Sequence, residues 1–270
     1  MTTNLDKKIP LMEVFGPTVQ GEGSVIGQQT YFLRFGLCDY KCVMCDSMHA
    51  VDPQQVKANA QWLTQRQIFE ALYEFRSKQQ HSTPWVTFSG GNPAIYDLQQ
   101  LVDLLKNDGW KIAVETQGTV YHRWLLDCDV ITVSPKTPGM GEKLELDKLD
   151  LFLGQFAIAG RYRDRLAIKM VVFDQIDLEA ASMVFERYVR DAYGISASQF
   201  YLSLGNPYPP GTRDARASGV CLECGTPDLV QELVYRYEQL LPDIMQHPTL
   251  CRVKFLPQWH VLLWGNKQGV

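Results

Sequence analysis

Tyr31-Phe32-Leu33-Arg34-Phe35-Gly36-Leu37-Cys38-Asp39-Tyr40-Lys41-Cys42-Val43-Met44-Cys45 is the stretch on which the reading of this chain turns. Its first five residues, apolar or aromatic apart from Arg34, read as a first strand that delivers the chain straight into a loop of three cysteines spaced C-x3-C-x2-C. Thiolates at that spacing can hold three corners of a [4Fe–4S] cube and leave the fourth iron without a protein ligand. An iron with open positions can bind a small molecule and pass it an electron, whereas a fully ligated cluster only relays electrons. Asp46, Ser47 and His49 follow, but no fourth cysteine stands nearby. The residues leave one alternative open, a Cys3His zinc site completed by His49. Structural zinc more often draws on two separated C-x2–4-C units, and a compact triplet matches that poorly.

Outward from this loop the chain alternates strand and helix patterns. Thr64-x-x-Gln67 has the form of a capping box, with Ile68, Phe69, Leu72 and Phe75 on one helical face. Trp85–Phe88 reads as a short buried strand ending in Ser89-Gly90-Gly91. Asp97 is placed to cap a helix bearing Leu98, Leu101, Val102 and Leu105, with Gly109 as its stop. Lys111–Val114, Val130–Val133, Leu166–Phe173 and Phe200–Leu204 read as further strands. Asp177 is expected to open a helix reaching about Val189, and Pro227-Asp228 another reaching Leu241, whose Tyr/Leu stripe reads as core. Alternation of this kind predicts an α/β fold with a mainly parallel sheet. The strands are too few for a comfortable closed barrel, so a partial, open (β/α) barrel is expected. One domain over residues 1–270 is expected, with the cysteine loop at 36–48 and a Gly/Pro/Ser-rich loop at about 205–226.

Composition narrows the partners. Of 270 residues, 46% are hydrophobic, enough for a large core, and no apolar run approaches the ~20 residues that span a bilayer. The net charge is −4 with no Lys/Arg-rich run, which argues against nucleic acid and anionic membranes. The first residues, MTTNLDKKIPLMEV, lack the apolar core of a secretory signal, and the seven cysteines are an odd number with three crowded together. Both point to the reducing cytoplasm, where thiols are kept for metals or catalysis.

In parallel β/α folds, active sites gather at the carboxyl ends of the strands. The distinctive short motifs fall there: the cysteine loop, Ser89-Gly90-Gly91-Asn92-Pro93, Glu115-Thr116-Gln117-Gly118 and Ser134-Pro135-Lys136. Paired glycines allow close approach of backbone to a ligand, although alone they would be an ordinary turn. Cys221-x2-Cys224 is half a metal site and reads as free thiols. His49, His81, His122 and His247 lack motif context and read as surface or satisfied residues. Trp259 and Trp264 are expected to pack a C-terminal strand and hairpin.

The cysteine loop together with the later Gly-Gly-x-Pro turn resembles the radical S-adenosylmethionine (SAM) superfamily. Phe15–Gly23 (FGPTVQGEG), Phe32-x-Arg34, Cys45-Asp46-Ser47 and the tail Gln258-x-His260-Val261-Leu262-Leu263-Trp264-Gly265-Asn266 resemble more narrowly the 7-carboxy-7-deazaguanine synthase family. The resemblance covers most of the chain. It implies contraction of the ring of 6-carboxy-5,6,7,8-tetrahydropterin with loss of ammonia, on the route to queuosine and related deazapurines, with SAM regenerated and Mg2+ required. It implies that Cys38, Cys42 and Cys45 hold the cluster, that Met44, Cys45, Asp46, Gly91, Ser134, Pro135 and Lys136 border SAM, and that Glu115 is a weaker candidate there. Ser47 would bind Mg2+ in place of the family's usual threonine. Val19, Gln20, Gly21 and Glu22 would read the pterin edge, Arg34 would fork onto the substrate carboxylate, and Ser89 and His260 would face the substrate. His260 is the acid–base candidate. A flavodoxin reductant and a homodimer are also implied. Two departures stand out: Gly-Gly-Asn-Pro where Gly-Gly-Glu-Pro is common, and ten residues beyond His260, so that Val270 is not assured of reaching the substrate. Rival readings are activation of a glycyl-radical enzyme, a cluster-based electron carrier and a zinc interaction module.

Overall fold

Apolar runs bounded by polar turns become the strands of one sheet in the computed structural model, which describes residues 7–79, 83–160, 165–191, 195–209 and 229–269. The strands are β1 (Ile9–Val19), β2 (Gln29–Phe35), β3 (Gln61–Leu63), β4 (Trp85–Gly90), β5 (Lys111–Thr116), β6 (Val130–Val133), β7 (Leu166–Val172), β8 (Phe200–Leu204) and β9 (Lys254–Leu256). Their order across the sheet is β3-β1-β2-β4-β5-β6-β7-β8-β9. From β2 through β9 every neighbouring pair is parallel; β1 joins β2 and β3 antiparallel. The two ends of this order, β3 and β9, do not pair with each other. The sheet is therefore open and mainly parallel, as the alternation predicts.

Helices cover it: α1 (Met48–Val51), α2 (Pro53–Asn59), α3 (Gln65–Ser77), α4 (Gln99–Asn107), α5 (Leu146–Ile158), α6 (Gln175–Phe185), α7 (Leu229–Gln246) and α8 (Trp259–Trp264). All of β8 and most of β7 are buried, as expected of strands covered on both faces. The capping box at Thr64 forms in full, and Ile68 and Leu72 of α3 are completely buried. Truncating either to Ala would cost about 2–5 kcal/mol. Gly109 stops the chain after α4 at φ +81°. Among the described residues no helix is long and apolar enough to cross a membrane.

Several expectations need correction. Tyr31–Phe35 lies in the second strand, not the first: β1 precedes it and contains Phe15–Val19, the first part of the FGPTVQGEG motif, with register shifts between Leu11 and Glu13 and between Phe15 and Thr18. Trp259–Trp264 is a short helix, not a strand and hairpin, closed by Gly265 N–H on the Val261 carbonyl (2.8 Å). The helix after β7 is capped by Asp174, not Asp177; Asp174 accepts the Asp177 N–H (3.1 Å). Asp177 is buried and accepts from Gly139 N–H (2.7 Å) and Phe173 N–H (2.9 Å), pinning the loop after β6 to the end of β7. Asp97 sits one residue ahead of the α4 N-cap and still takes the Gln99 N–H (3.2 Å). Helix α7 extends past Leu241 to Gln246. Pro227, Asp228, Cys221, Cys224, His81, Val270 and most of the 205–226 loop lie outside the described residues.

The carboxyl ends of β2, β4, β5 and β6 meet along one edge. Gly91 N–H binds the Phe35 carbonyl and Asn92 N–H the Leu37 carbonyl, both at 2.9 Å. A Cβ on Gly91 would lie 1.8 Å from the Leu37 oxygen. The glycine pair is thus required first by the seam between β4 and the cysteine loop. Leu37 has φ +68°, a conformation costing a non-glycine residue about 1–3 kcal/mol. The seam, with Leu37 N–H on the Ala50 carbonyl (2.8 Å), holds it there.

Candidate active site

One cavity opens at this edge, and every site residue named from the sequence borders it except Pro135. Its lining includes the three thiols, none in a disulfide. Cys42 is buried and Cys38 and Cys45 are half-buried. Burial pushes the Cys42 thiol up to about 11 and that of Cys45 to about 12. Protein groups nonetheless point positive ends at the sulfurs. Cys38 Sγ accepts from Gln117 Nε2 (3.1 Å) and from Tyr40 N–H (3.4 Å), and Lys136 favours the thiolate form of all three. Such donors suit sulfurs that carry charge, as iron ligands do, so the residues fit a cluster. Among the described residues no three His, Cys, Asp or Glu side chains converge on a single-ion site. His49, the fourth ligand of the zinc alternative, faces Glu13 Oε2 at 3.7 Å instead.

The same cavity is bordered by a buried charge network. The Glu22 carboxylate is paired with the Lys169 ammonium and accepts from Gln258 Nε2 (2.6 Å). Gln20 Nε2 donates to Glu115 Oε1 (3.1 Å), and its own oxygen accepts the Glu22 N–H (3.3 Å). Burial opposes ionisation of Glu22, but Lys169 and His260 outweigh it and hold the carboxyl below its usual value. Glu115 goes the other way: burial, with Glu22 and Asp46 nearby, raises it despite Lys169. Lys169 is itself driven up, since Glu22 and Glu115 more than offset its burial. At the rim His260 Nε2 lies 3.6 Å from Asp46 Oδ2. Burial disfavours its imidazolium, yet Asp46 and Glu22 raise its pKa on balance. Gly21 is needed for this contact, because a Cβ there would lie 2.7 Å from His260 Nδ1. The Gly21 carbonyl also accepts from Trp259 N–H (3.1 Å), joining α8 to the chain after β1.

Also bordering the cavity, Arg34 donates through Nε to Glu13 (2.6 Å) and through Nη1 to Ser47 Oγ (3.2 Å). Ser47 in turn donates to Asp46 Oδ1 (2.8 Å). Two oxygens so close match the ligand type Mg2+ prefers, with Arg34 already occupying one lone pair of the hydroxyl. Ser89 Oγ is buried without a hydrogen-bond partner and borders the cavity. Lys136 Nζ donates to Ser134 Oγ (3.1 Å), and Ser134 N–H closes onto the Thr116 carbonyl (2.7 Å).

Lys169 was not among the sequence candidates. The signal was present: one lysine inside Leu-Ala-Ile-Lys-Met-Val-Val, a strand of otherwise apolar residues, demands a buried partner. His49 is a second omission. It lines the cavity with both ring nitrogens buried and without a hydrogen bond, not at the surface. The sequence offers no motif that would single it out.

An open, mainly parallel α/β sheet with a three-cysteine loop and a glycine turn at the carboxyl edge of its strands defines a partial barrel of the radical SAM type. The crystal structure of QueE from Escherichia coli shares this fold, with a TM-score of 0.58 and 20% identity, covering 94% of this chain and 95% of its own. No family model matches the chain. The 7-carboxy-7-deazaguanine synthase of Bacillus subtilis (strain 168) is 39% identical over 265 residues, 98% of this chain and 99% of the relative. The one from Bacillus cereus is 36% identical over 264 residues, 97% and 99% of the two chains. The chain belongs to the 7-carboxy-7-deazaguanine synthase family.

Proposed function

We propose that this protein converts 6-carboxy-5,6,7,8-tetrahydropterin to 7-carboxy-7-deazaguanine with loss of ammonia, as a carbon–nitrogen lyase that uses SAM catalytically. The observation that carries the reading is the Glu22 carboxylate. It is buried, held ionised and borders the same cavity as the three cysteines, in the motif that the resemblance assigns to the pterin edge. A pterin presents the N–H donors of guanine, and a carboxylate fixed by Lys169 and Gln258 is an acceptor for them that needs no reorganisation. Gln20 adds an amide beside it.

Cys38, Cys42 and Cys45 would hold the cluster. Met44, Asp46, Gly91, Ser134 and Lys136 would border SAM, with Pro135 between the last two in sequence; Ser47 would contribute to Mg2+. When bound, cluster and SAM supply the adenosyl radical that takes a hydrogen from the substrate. The chain's own residues bind, orient and exclude water. Arg34 keeps the rest of its guanidinium fork for the substrate carboxylate while Glu13 fixes its stem. Asp46 and Glu22 favour the imidazolium of His260 against its burial, so His260 would be the group that gives a proton to departing ammonia. The reading extends to one catalytic domain over residues 1–270, reduced by a flavodoxin and working as a cytoplasmic homodimer.

The test is anaerobic reconstitution followed by dithionite, SAM and the carboxytetrahydropterin. The expected result is deazaguanine product in excess over SAM consumed. SAM cleavage without that product would overturn the substrate assignment and leave the rest of the class intact.

A further inference from the structure

Asp39, between the first two cysteines, is the most heavily tied side chain of the loop, and the established features of the site give it no task. Its Oδ1 accepts from Asn92 Nδ2 (2.8 Å) and Gln117 Nε2 (2.6 Å), and its Oδ2 accepts from the Thr119 hydroxyl. Asn92 is fully buried and fixed in turn, its oxygen accepting from Ala94 N–H (3.1 Å) and from Thr116 Oγ1 (2.9 Å). Cys38 Sγ itself lies 4.0 Å from Oδ1, and the three nitrogen and oxygen donors to Asp39 are neutral. They orient the carboxylate without cancelling its charge, and they come from two strand ends, β4 and β5. The charge stands beside Cys38, whose thiol it pushes up after burial has done so.

Gln117 serves both groups. An amide NH2 carries two hydrogens, enough for the two contacts its nitrogen makes, to Cys38 Sγ (3.1 Å) and to Asp39 Oδ1 (2.6 Å). We propose that Asp39 and Gln117 set the reduction potential of the cluster through Cys38. The carboxylate would disfavour the added electron, and the amide N–H on the sulfur would favour it. Hydrogen bonds to ligand sulfurs and local charge are the levers by which a protein tunes such centres. Asn92, where the wider superfamily commonly has glutamate, holds the carboxylate at its place. The inference rests on the reading that Cys38 ligates the cluster, and it is independent of which substrate is turned over.

Asp39→Asn is close to isosteric. An oxygen in the Oδ1 position keeps both amide donors, and the Thr119 hydroxyl need only reverse to accept. Gln117→Met keeps the length of the side chain and removes the N–H. In the anaerobically reconstituted protein, EPR-monitored titration without substrate should show the reduced-cluster signal appearing at higher potential in Asp39→Asn and at lower potential in Gln117→Met. Iron content should match the unsubstituted protein in both. A purely structural role would change iron content or signal intensity and leave the midpoints alone. Unchanged midpoints with full iron, or two shifts of the same sign, would overturn the proposal. Should either variant fail to load iron, Thr119→Val decides. It removes one donor from the carboxylate and touches no sulfur, and the midpoint should fall; an unmoved midpoint is a refutation. Failure of the product assay with these shifts present would fault the substrate reading alone.

Discussion

Lys169 shows how much a single residue can settle. A lysine in a buried strand costs several kcal/mol unless it is paired, and here it is paired with Glu22 while Glu115 lies close by. The Glu22 carboxylate was legible as part of the Gln20–Glu22 motif; its counter-charge, 147 residues away, was not, because no local pattern announces a tertiary ion pair. Lys169→Met is expected to strand Glu22 as an uncompensated buried charge, a loss of about 3–5 kcal/mol while it stays ionised. In the native protein Glu22 is depressed, so its contribution is present above the unfolded carboxyl value and is lost as pH falls through the folded one. In the variant the carboxyl is pushed up, so its penalty stands at pH 7 and is relieved as Glu22 takes up a proton in acid. Urea unfolding at pH 7.5 and at pH 5 should therefore show the larger deficit at 7.5. His260 has the opposite dependence. Its pKa is raised, so the imidazolium's contribution is complete below ~6.5 and disappears as pH rises through the folded value. The KM for the pterin should climb over that range in the native protein, and His260→Gln should flatten the profile.

At the scale of elements, the parallel strands and the helices between them were readable because apolar runs and 3.6-residue stripes repeat regularly: β6 and β8 have the expected bounds and α3 the expected cap. What failed was ambiguous in kind. Val261-Leu262-Leu263 is an apolar run that periodicity cannot assign, and the contacts of Trp259 with Gly21 belong to a helix end. Glycine, proline and two register shifts break the alternation of β1 and hide it behind its motif. Asp174 and Asp177 are both competent caps; only the fold shows that the second is taken by Gly139 and Phe173. The seam between β4 and the cysteine loop supplies the sharpest test. Gly91→Ala sets a Cβ against the Leu37 carbonyl, a backbone atom that cannot swing away. Iron bound after reconstitution should fall to background. Gly154→Ala, inside α5 with nothing within 4 Å of the added carbon, should keep its iron and gain about 0.5–1 kcal/mol in denaturant unfolding.

Across the whole molecule, the fold works by bringing its far ends together. The segment after β9 returns to the chain that follows β1: Gln258 reaches Glu22 across 236 residues, and Lys267, Gln268 and Gly269 complete the cavity rim. No local pattern between them places this closure, which joins the segment after the first strand to the segment after the last. Beyond α8 the tail is fastened by Asn266, whose Nδ2 donates to the Tyr208 carbonyl (2.7 Å) and whose Oδ1 accepts from Asn206 Nδ2 (2.8 Å). Asn206 N–H is in turn held by Gln258 Oε1 (3.1 Å), so one chain of hydrogen bonds links the rim to the group that fixes Glu22. Asn266→Ala removes the rim end of that chain, at a cost of about 1–3 kcal/mol for the donors and acceptors left behind. The bonds of Asn266 run to Tyr208 and Asn206 and touch neither the thiols nor the β4 seam, so the iron should be kept. Water should then enter on the substrate side, where exclusion protects reactive species from side reactions. The ratio of deazaguanine to 5′-deoxyadenosine should fall several-fold while total SAM cleavage persists. A ratio equal to that of the native protein, at the same iron content, would mean that the tail contributes stability and nothing to the guarding of the cavity.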